Sequence, residues 1–125
     1  MSNLNTLIAR MIEYEDGCVE RVNHFLKVFA FAKTIAEGEG LDRETQDVLE
    51  AAAVTHDVGI RVCFEKYGSH HTYVGIDGAD YQILVEADFL VNIFENGMAQ
   101  EAARKIRDNI FKTKTGRKLL TDLYL

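Results

Sequence analysis

Four side chains that are able to bind a metal ion stand in otherwise apolar stretches of this sequence. His24 lies at the margin of an apolar helical stripe, and His56 and Asp57 are adjacent after an alanine-rich run. Asp88 lies inside a strongly apolar segment. Burying ionisable groups is costly unless they are paired or bind a metal. Two imidazoles and two carboxylates suit Mn, Fe, Co, Ni or Zn and leave positions open for water, so we predict a divalent metal site here.

Each of these residues also has an ordinary structural explanation. A lone histidine such as His24 is more often a hydrogen-bonded core residue than a metal ligand. The adjacent His56 and Asp57 can occur by chance or cap the C-terminus of a helix. Asp88 can be neutralised by a Lys or Arg side chain. The combination of all four is much more specific than any one of them.

The elements that must position these residues are six predicted helices. Apolar residues recur at helical spacing, and no segment shows the alternation typical of a strand. Proline, the commonest helix breaker, is absent. Asp42 is a plausible N-cap for the third helix, which we expect to end at residues 56–59, and the glycine-rich residues 58–80 are expected to be largely irregular. The sequence predicts one all-α domain over residues 1–125, with helices at 4–14, 18–37, 42–59, 81–94 and 99–110 and a short one after Gly116.

The amino-acid composition argues against some classes of binding partner. The 125 residues carry a net charge of −6, which gives no electrostatic basis for nonspecific nucleic-acid binding. No apolar run is long enough to span a membrane, and no leader-like segment opens the chain. Cys18 and Cys63 are far apart and fit reduced thiols better than a disulfide framework. We therefore expect a soluble cytoplasmic protein that does not associate with membranes.

The order of the four residues resembles the H...HD...D pattern of the HD-domain metal-dependent phosphohydrolases. The alanine-rich segment AAAVTHDVG is similar to the AAxLHDIG segment of that family, and the resemblance extends roughly over residues 21–94. The segments that carry it are Arg21–Val28, Ala51–Gly59 and Glu86–Asp88.

The resemblance implies an HD-domain-like helical bundle that hydrolyses phosphate esters or nucleotides. A divalent ion (Mn, Fe, Co, Ni, Zn or Mg) would be held by the four side chains and would lower the pKa of a bound water. Asp57 would also be the catalytic residue that orients this water or relays its proton. Arg21, Arg61 and Lys66 are the nearby cations that could contact substrate phosphate, although each could equally be a solvated surface charge.

Two features depart from the family pattern. Ile60 stands where many members have a lysine after the HDIG segment. Asp57 and Asp88 are 88 − 57 = 31 residues apart, whereas members usually place another pair of helices between them. We hypothesise that this pair is deleted between residues 69 and 70, or that the sequence omits a segment there. An intact mass of the native protein clearly above 14.1 kDa would establish omission.

His70 and His71 directly follow the hypothesised deletion point, where some family members have additional histidines. By resemblance, either one could help to hold a second metal or contact substrate phosphate; otherwise they are two solvated loop histidines.

A shortened fold also leaves other functions open. It could expose apolar surface and form a homo-oligomer. It could also be a non-catalytic HD-like module for metal or nucleotide binding or for assembly, or an all-α interaction protein with purely structural His and Asp residues.

Overall fold

The computed structural model describes residues 3–67 and 78–125, without the side chains of residues 58–67 and Ala79. The predicted all-α class is confirmed, because six helices and no strand occur in these ranges, and the helices form a bundle. Their bounds are α1 Asn3–Tyr14, α2 Val19–Gly38, α3 Arg43–Tyr67, α4 Gly78–Glu95, α5 Gln100–Asn109 and α6 Lys114–Tyr124.

Helix α2 is the central element of the bundle. It packs against α3 and α4, while α1 packs on α3 and the α5–α6 pair reaches α4 through α6. The main core lies between these helices, and alanines at several of its positions allow the backbones to approach closely. Its fully buried members include Val28, Ala32, Ile35, Leu49, Ala53, Leu84, Ala87 and Leu90.

Several helix ends follow the sequence signals. Asp42 caps α3 as predicted, since its Oδ1 accepts a hydrogen bond from the Thr45 amide at 2.8 Å. Gly97 follows α4 with a positive φ of 60°. That conformation lets the Met98 amide reach back to the Ile93 carbonyl at 3.0 Å, which closes the helix.

The predicted end of the third helix is wrong. Helix α3 continues through His56 and Asp57 to Tyr67, so the pair lies inside a helix rather than at its C-terminus. A glycine such as Gly59 costs a helix interior only about 1 kcal/mol relative to alanine, and no proline follows it. The part of the expected irregular segment at residues 58–67 is therefore helical.

Two later helices begin earlier than predicted. Helix α4 begins at Gly78 rather than Tyr81. Helix α6 begins at Lys114, so Gly116 lies within its first turn instead of before it. Thr113 provides the cap, because its hydroxyl accepts a hydrogen bond from the Gly116 amide at 2.9 Å.

Some expectations concern residues that the structure does not describe. The helix pair thought to be missing between residues 69 and 70 lies outside the described ranges, as does the remainder of the expected irregular segment at residues 68–77. Within the described ranges, none of the helices has the length and apolarity needed to cross a membrane. Cys18 is a free thiol there.

A buried glutamate joins α4 to the start of α6. Glu86 is fully buried. Its Oε2 accepts hydrogen bonds from the Lys112 and Thr113 amides at 2.9 and 3.0 Å, and its Oε1 accepts one from the Thr113 hydroxyl at 2.6 Å. A Cβ atom at Gly116 would collide with this carboxylate, so the glycine permits the close approach. Helix α4, which carries Asp88, is thereby fixed against the C-terminal helices.

We expect Glu86→Ala to lower the free energy of unfolding by roughly 3 kcal/mol or more, because the amides of Lys112 and Thr113 and the Thr113 hydroxyl lose a charged acceptor. Urea unfolding followed by circular dichroism measures the change. The matched control is Glu101→Ala, which removes an exposed pair with Arg104 and should cost less than about 0.5 kcal/mol. Equal effects of the two substitutions would contradict the anchoring role of Glu86.

Candidate metal centre

Three helices bring the four predicted ligands together. His24 comes from α2, His56 and Asp57 come from the middle of α3, and Asp88 comes from α4. Helices α2, α3 and α4 all pack on one another. Residues 64 positions apart in the sequence, His24 and Asp88, thus come within contact distance.

Both imidazoles are oriented through the ring nitrogen that faces away from the cluster. The Nδ1 atom of His56 lies 2.8 Å from the carbonyl oxygen of Ala53, and Nδ1 of His24 lies 2.7 Å from Oε1 of Glu95. The Ala53 carbonyl can only accept a hydrogen bond, so Nδ1 of His56 donates. In a neutral ring this leaves Nε2 with a free lone pair. The same arrangement with a carboxylate or carbonyl partner orients many metal-binding histidines.

The two Nε2 atoms converge on one carboxylate oxygen. Oδ1 of Asp88 lies 3.0 Å from Nε2 of His24 and 3.5 Å from Nε2 of His56. Oδ1 of Asp88 and Nε2 of His56 are both buried, and neither forms a hydrogen bond with any described residue. Neutral rings would therefore direct lone pairs at a carboxylate oxygen, which is unfavourable unless a cation lies between them. A proton or a metal ion supplies that cation.

Asp57 completes the cluster from the solvent side. Its Oδ1 lies 3.2 Å from Nε2 of His56, and its Oδ2 lies 3.9 Å from Nε2 of His24. Ligand atoms of His24, His56 and Asp57 all lie within 4.8 Å of one another, so this group could hold a metal ion. Nitrogen and oxygen ligands about 2.0 to 2.2 Å from an ion lie roughly 3 to 3.5 Å from each other. The distances of 3.0, 3.2 and 3.5 Å between the histidine Nε2 atoms and the Asp88 and Asp57 oxygens fall within that range, whereas the 3.9 Å between Oδ2 of Asp57 and Nε2 of His24 is slightly longer.

Charge interactions within the metal-free cluster are strong. The Asp88 carboxylate, opposed by burial and supported by Glu95 and Asp57, raises the pKa of His24 to about 9. Burial lowers the pKa of His56, but Asp88 and Asp57 outweigh it and the net pKa is raised. Burial raises the pKa of Asp88, and the two histidines more than reverse this, so its pKa falls below the usual range. Without a metal, His24 is therefore protonated near neutral pH, and its charge offsets part of that of the carboxylates.

The geometry bears on the structural explanations that require no metal ion. Asp88 is not neutralised by a Lys or Arg from the described part of the chain; its ion-pair partners there are His24 and His56. The His56-Asp57 pair is not a C-terminal cap, because α3 continues beyond it. His24 is hydrogen-bonded, as a structural histidine would be, but its second nitrogen faces Asp88.

Of the three cations predicted to contact phosphate, only Arg21 has a described side chain. Arg21 lines a pocket of about 500 Å³ beside the cluster, and its guanidinium lies 3.5 Å from Glu15. Arg61 and Lys66 belong to α3, but their side chains are not described. His70 and His71 lie outside the described residues.

Of the pocket residues that the sequence did not predict, two have a definable role at the site. Glu95 orients His24, and Lys27 lines the pocket. Each lies on the same helical face as a predicted ligand, since Lys27 follows His24 by three positions and Glu95 follows Asp88 by seven. That spacing was the available signal. The complete pocket lining among described residues is Glu20, Arg21, Asn23, His24, Lys27, Asp57 and Glu95.

Comparison with known proteins gives no match: no protein-family model, no curated protein and no solved structure matches this chain. The relation to HD-domain phosphohydrolases therefore remains a prediction from the motif.

We expect Glu95→Gln to weaken the binding of Mn²⁺ or Zn²⁺ by about 10- to 100-fold, since the amide no longer fixes His24 as the carboxylate does. Isothermal titration calorimetry measures the affinity. Glu20→Gln is the matched control, because Glu20 lines the same pocket and no ion pair joins it to His24 among the described contacts. An unchanged affinity in the Glu95 variant would contradict its orienting role.

The metal-free protein should lose stability as the pH rises from about 6.5 through about 9. Folding raises the pKa of His24 from 6.5 to about 9, so its protonated form contributes stability fully below pH 6.5 and loses it through pH 9. His56 acts in the same direction. Urea unfolding in the presence of a chelator measures this, and His24→Asn should flatten the dependence. Stability that rises over this interval would contradict the assignment.

Proposed function

We propose that this protein is a metal-dependent hydrolase of phosphate esters or nucleotides, of the HD-domain type. One observation carries the proposal. Two oriented imidazole nitrogens converge on the buried Oδ1 of Asp88, which has no hydrogen-bond partner among the described residues, and Asp57 lies beside them. A pocket large enough for a small molecule adjoins this cluster.

The donor set fits a divalent transition metal. His24 and His56 would supply Nε2 atoms, and Asp57 and Asp88 would supply carboxylate oxygens. Such a mixed set is typical of Mn, Fe, Co, Ni or Zn sites. A bound ion supplies Lewis acidity and lowers the pKa of a coordinated water, which makes a nucleophile near neutral pH.

Asp57 is the residue best placed to act on a water. Its carboxylate is about one-third exposed, whereas the side chain of His56 is almost completely buried. Asp57 also lines the pocket, so its oxygens face both the cluster and the space that a substrate would occupy. A carboxylate in this position can orient a water and accept a proton from it.

Arg21 and Lys27 would bind the phosphate oxygens. Both line the pocket, and each offers several N–H donors to an anion. The acidic residues Glu20, Asp57 and Glu95 outnumber them on the same lining. A divalent cation at the cluster would offset part of this negative charge and would thereby favour phosphate binding.

The proposal is tested by elemental analysis of the purified protein after metal add-back, combined with a screen of phosphate esters and nucleotides. We expect stoichiometric metal and phosphate release in the parent protein. Asp57→Ala and Asp88→Asn should lose metal, and Asp57→Ala should lower turnover by about 100-fold or more. Asp47→Ala is the matched control, because Asp47 is an exposed carboxylate paired with Arg43 and should leave both quantities unchanged.

Two other outcomes would replace the proposal. Metal binding with ligand-induced stabilisation but no turnover would identify a non-catalytic binding module. A parent protein that binds no metal after add-back would contradict both functions and leave a helical protein in which the His and Asp residues are structural.

A further inference from the structure

A second pocket, of about 310 Å³, lies between α2, α4 and α6, and its lining is mostly apolar. We call it the apolar groove. Lys27 supplies the one charged side chain among its described lining residues. The apolar members are Phe31, Leu90, Val91, Phe94, Leu123 and Tyr124.

The apolar groove adjoins the metal pocket. Lys27 lines both, and its Nζ lies 5.3 Å from the centre of the Phe94 ring. His24, Lys27 and Phe31 follow one another along one face of α2 at intervals of three and four residues. At 1.5 Å per residue, Phe31 lies roughly 10 Å along the helix from His24. A molecule of that length could contact both ends.

Two large apolar side chains are exposed at this groove. Phe94 is 69% exposed, the largest value among the large apolar residues of the described chain, and Leu123 is 51% exposed. Exposed apolar residues that line one concavity are typical of a binding surface. They remain in water unless a ligand covers them.

The groove offers few hydrogen bonds to a ligand. The Tyr124 hydroxyl already donates to the Leu90 carbonyl oxygen at 2.6 Å. The Lys27 ammonium is a cation at the junction with the metal pocket, where its charge complements a phosphate. A nucleobase needs polar partners at its edges, whereas an alkyl or aryl group does not. The chemistry of the groove therefore favours an apolar occupant.

We propose that the apolar groove binds the leaving alcohol of the substrate, so that the preferred substrates are phosphate monoesters of apolar alcohols, about 10 Å long including the phosphate, rather than nucleotides. This inference rests on the proposed function, because it places the phosphate at the metal pocket. Phe94 and Leu123 then determine specificity, and Lys27 lies at the junction between phosphate and alcohol.

The test compares hexylphosphonate, methylphosphonate and adenosine 5′-monophosphate by calorimetry on the Mn²⁺-loaded protein. The two phosphonates have no ester bond to hydrolyse and report binding alone, and phosphate release is followed in parallel for adenosine 5′-monophosphate. We expect hexylphosphonate to bind at least about tenfold more tightly than methylphosphonate, because the groove buries several methylenes. Phe94→Ala and Leu123→Ala should remove most of that preference. Val48→Ala is the control, since Val48 is 50% exposed and lines neither pocket.

Failure of this inference is distinguishable from failure of the function. Turnover without a preference for hexyl over methyl phosphate would overturn the groove assignment and keep the hydrolase. A preference that depends on Phe94 but comes without turnover would keep the groove and overturn the hydrolase. Tighter binding of the nucleotide would overturn the assignment. A dimer that Phe94→Ala dissociates, seen by analytical ultracentrifugation, would also overturn it and assign the groove to a second copy of the chain.

Discussion

Three electron-rich atoms meet in a largely buried cluster of this protein, and the rest of the site depends on how their repulsion is relieved. Oδ1 of Asp88 has no hydrogen bond among the described residues, and the Nε2 atoms of His24 and His56 lie at 3.0 and 3.5 Å from it. Such a group of atoms is stable only around positive charge. The structure therefore selects for a cation at this point, and protons and metal ions compete for the same position.

The surrounding packing prevents the cluster from avoiding this contact. The Nδ1 atoms of the histidines are held by a main-chain carbonyl and by Glu95, so rotation of a ring would break a hydrogen bond. Buried core residues around the site leave little room for the three helices to separate. Glu86 fixes α4 from its other side through the amides that precede α6. The arrangement is thus preorganised by interactions outside the cluster.

Much of the fold follows from the sequence, because helical periodicity and caps are local signals. Asp42 and Gly97 illustrate this, since each acts within a few residues. The end of α3 was not predictable in the same way, because a glycine within a helix has only a small cost and the outcome depends on the residues beyond it. The sequence-based stop at Gly59 failed for that reason.

In the candidate site, too, some residues were predictable from the sequence and others were not. Asp88 was predicted because a carboxylate in an apolar segment is anomalous, and His56 with Asp57 formed a recognisable pair. Glu95 gave only the weak signal of its helical spacing from Asp88, because a glutamate near a helix end is ordinary unless its contact with His24 is known. Lys27 likewise resembles a solvated lysine until the two pockets beside it are seen. Partners from distant helices cannot be deduced from local spacing alone.

The Glu86 anchor also sets an order of events during synthesis. Its hydrogen-bond donors, the amides of Lys112 and Thr113, are 26 and 27 residues further along the chain. At translation rates of roughly 5 to 20 residues per second, α4 is complete for about a second or more before its buried carboxylate finds these partners. Until residues 112 and 113 have been synthesised, only water and Gln82, four positions earlier on the same helix, can donate to the Glu86 carboxylate. Burial of this face of α4 is therefore costly before the start of α6 is present.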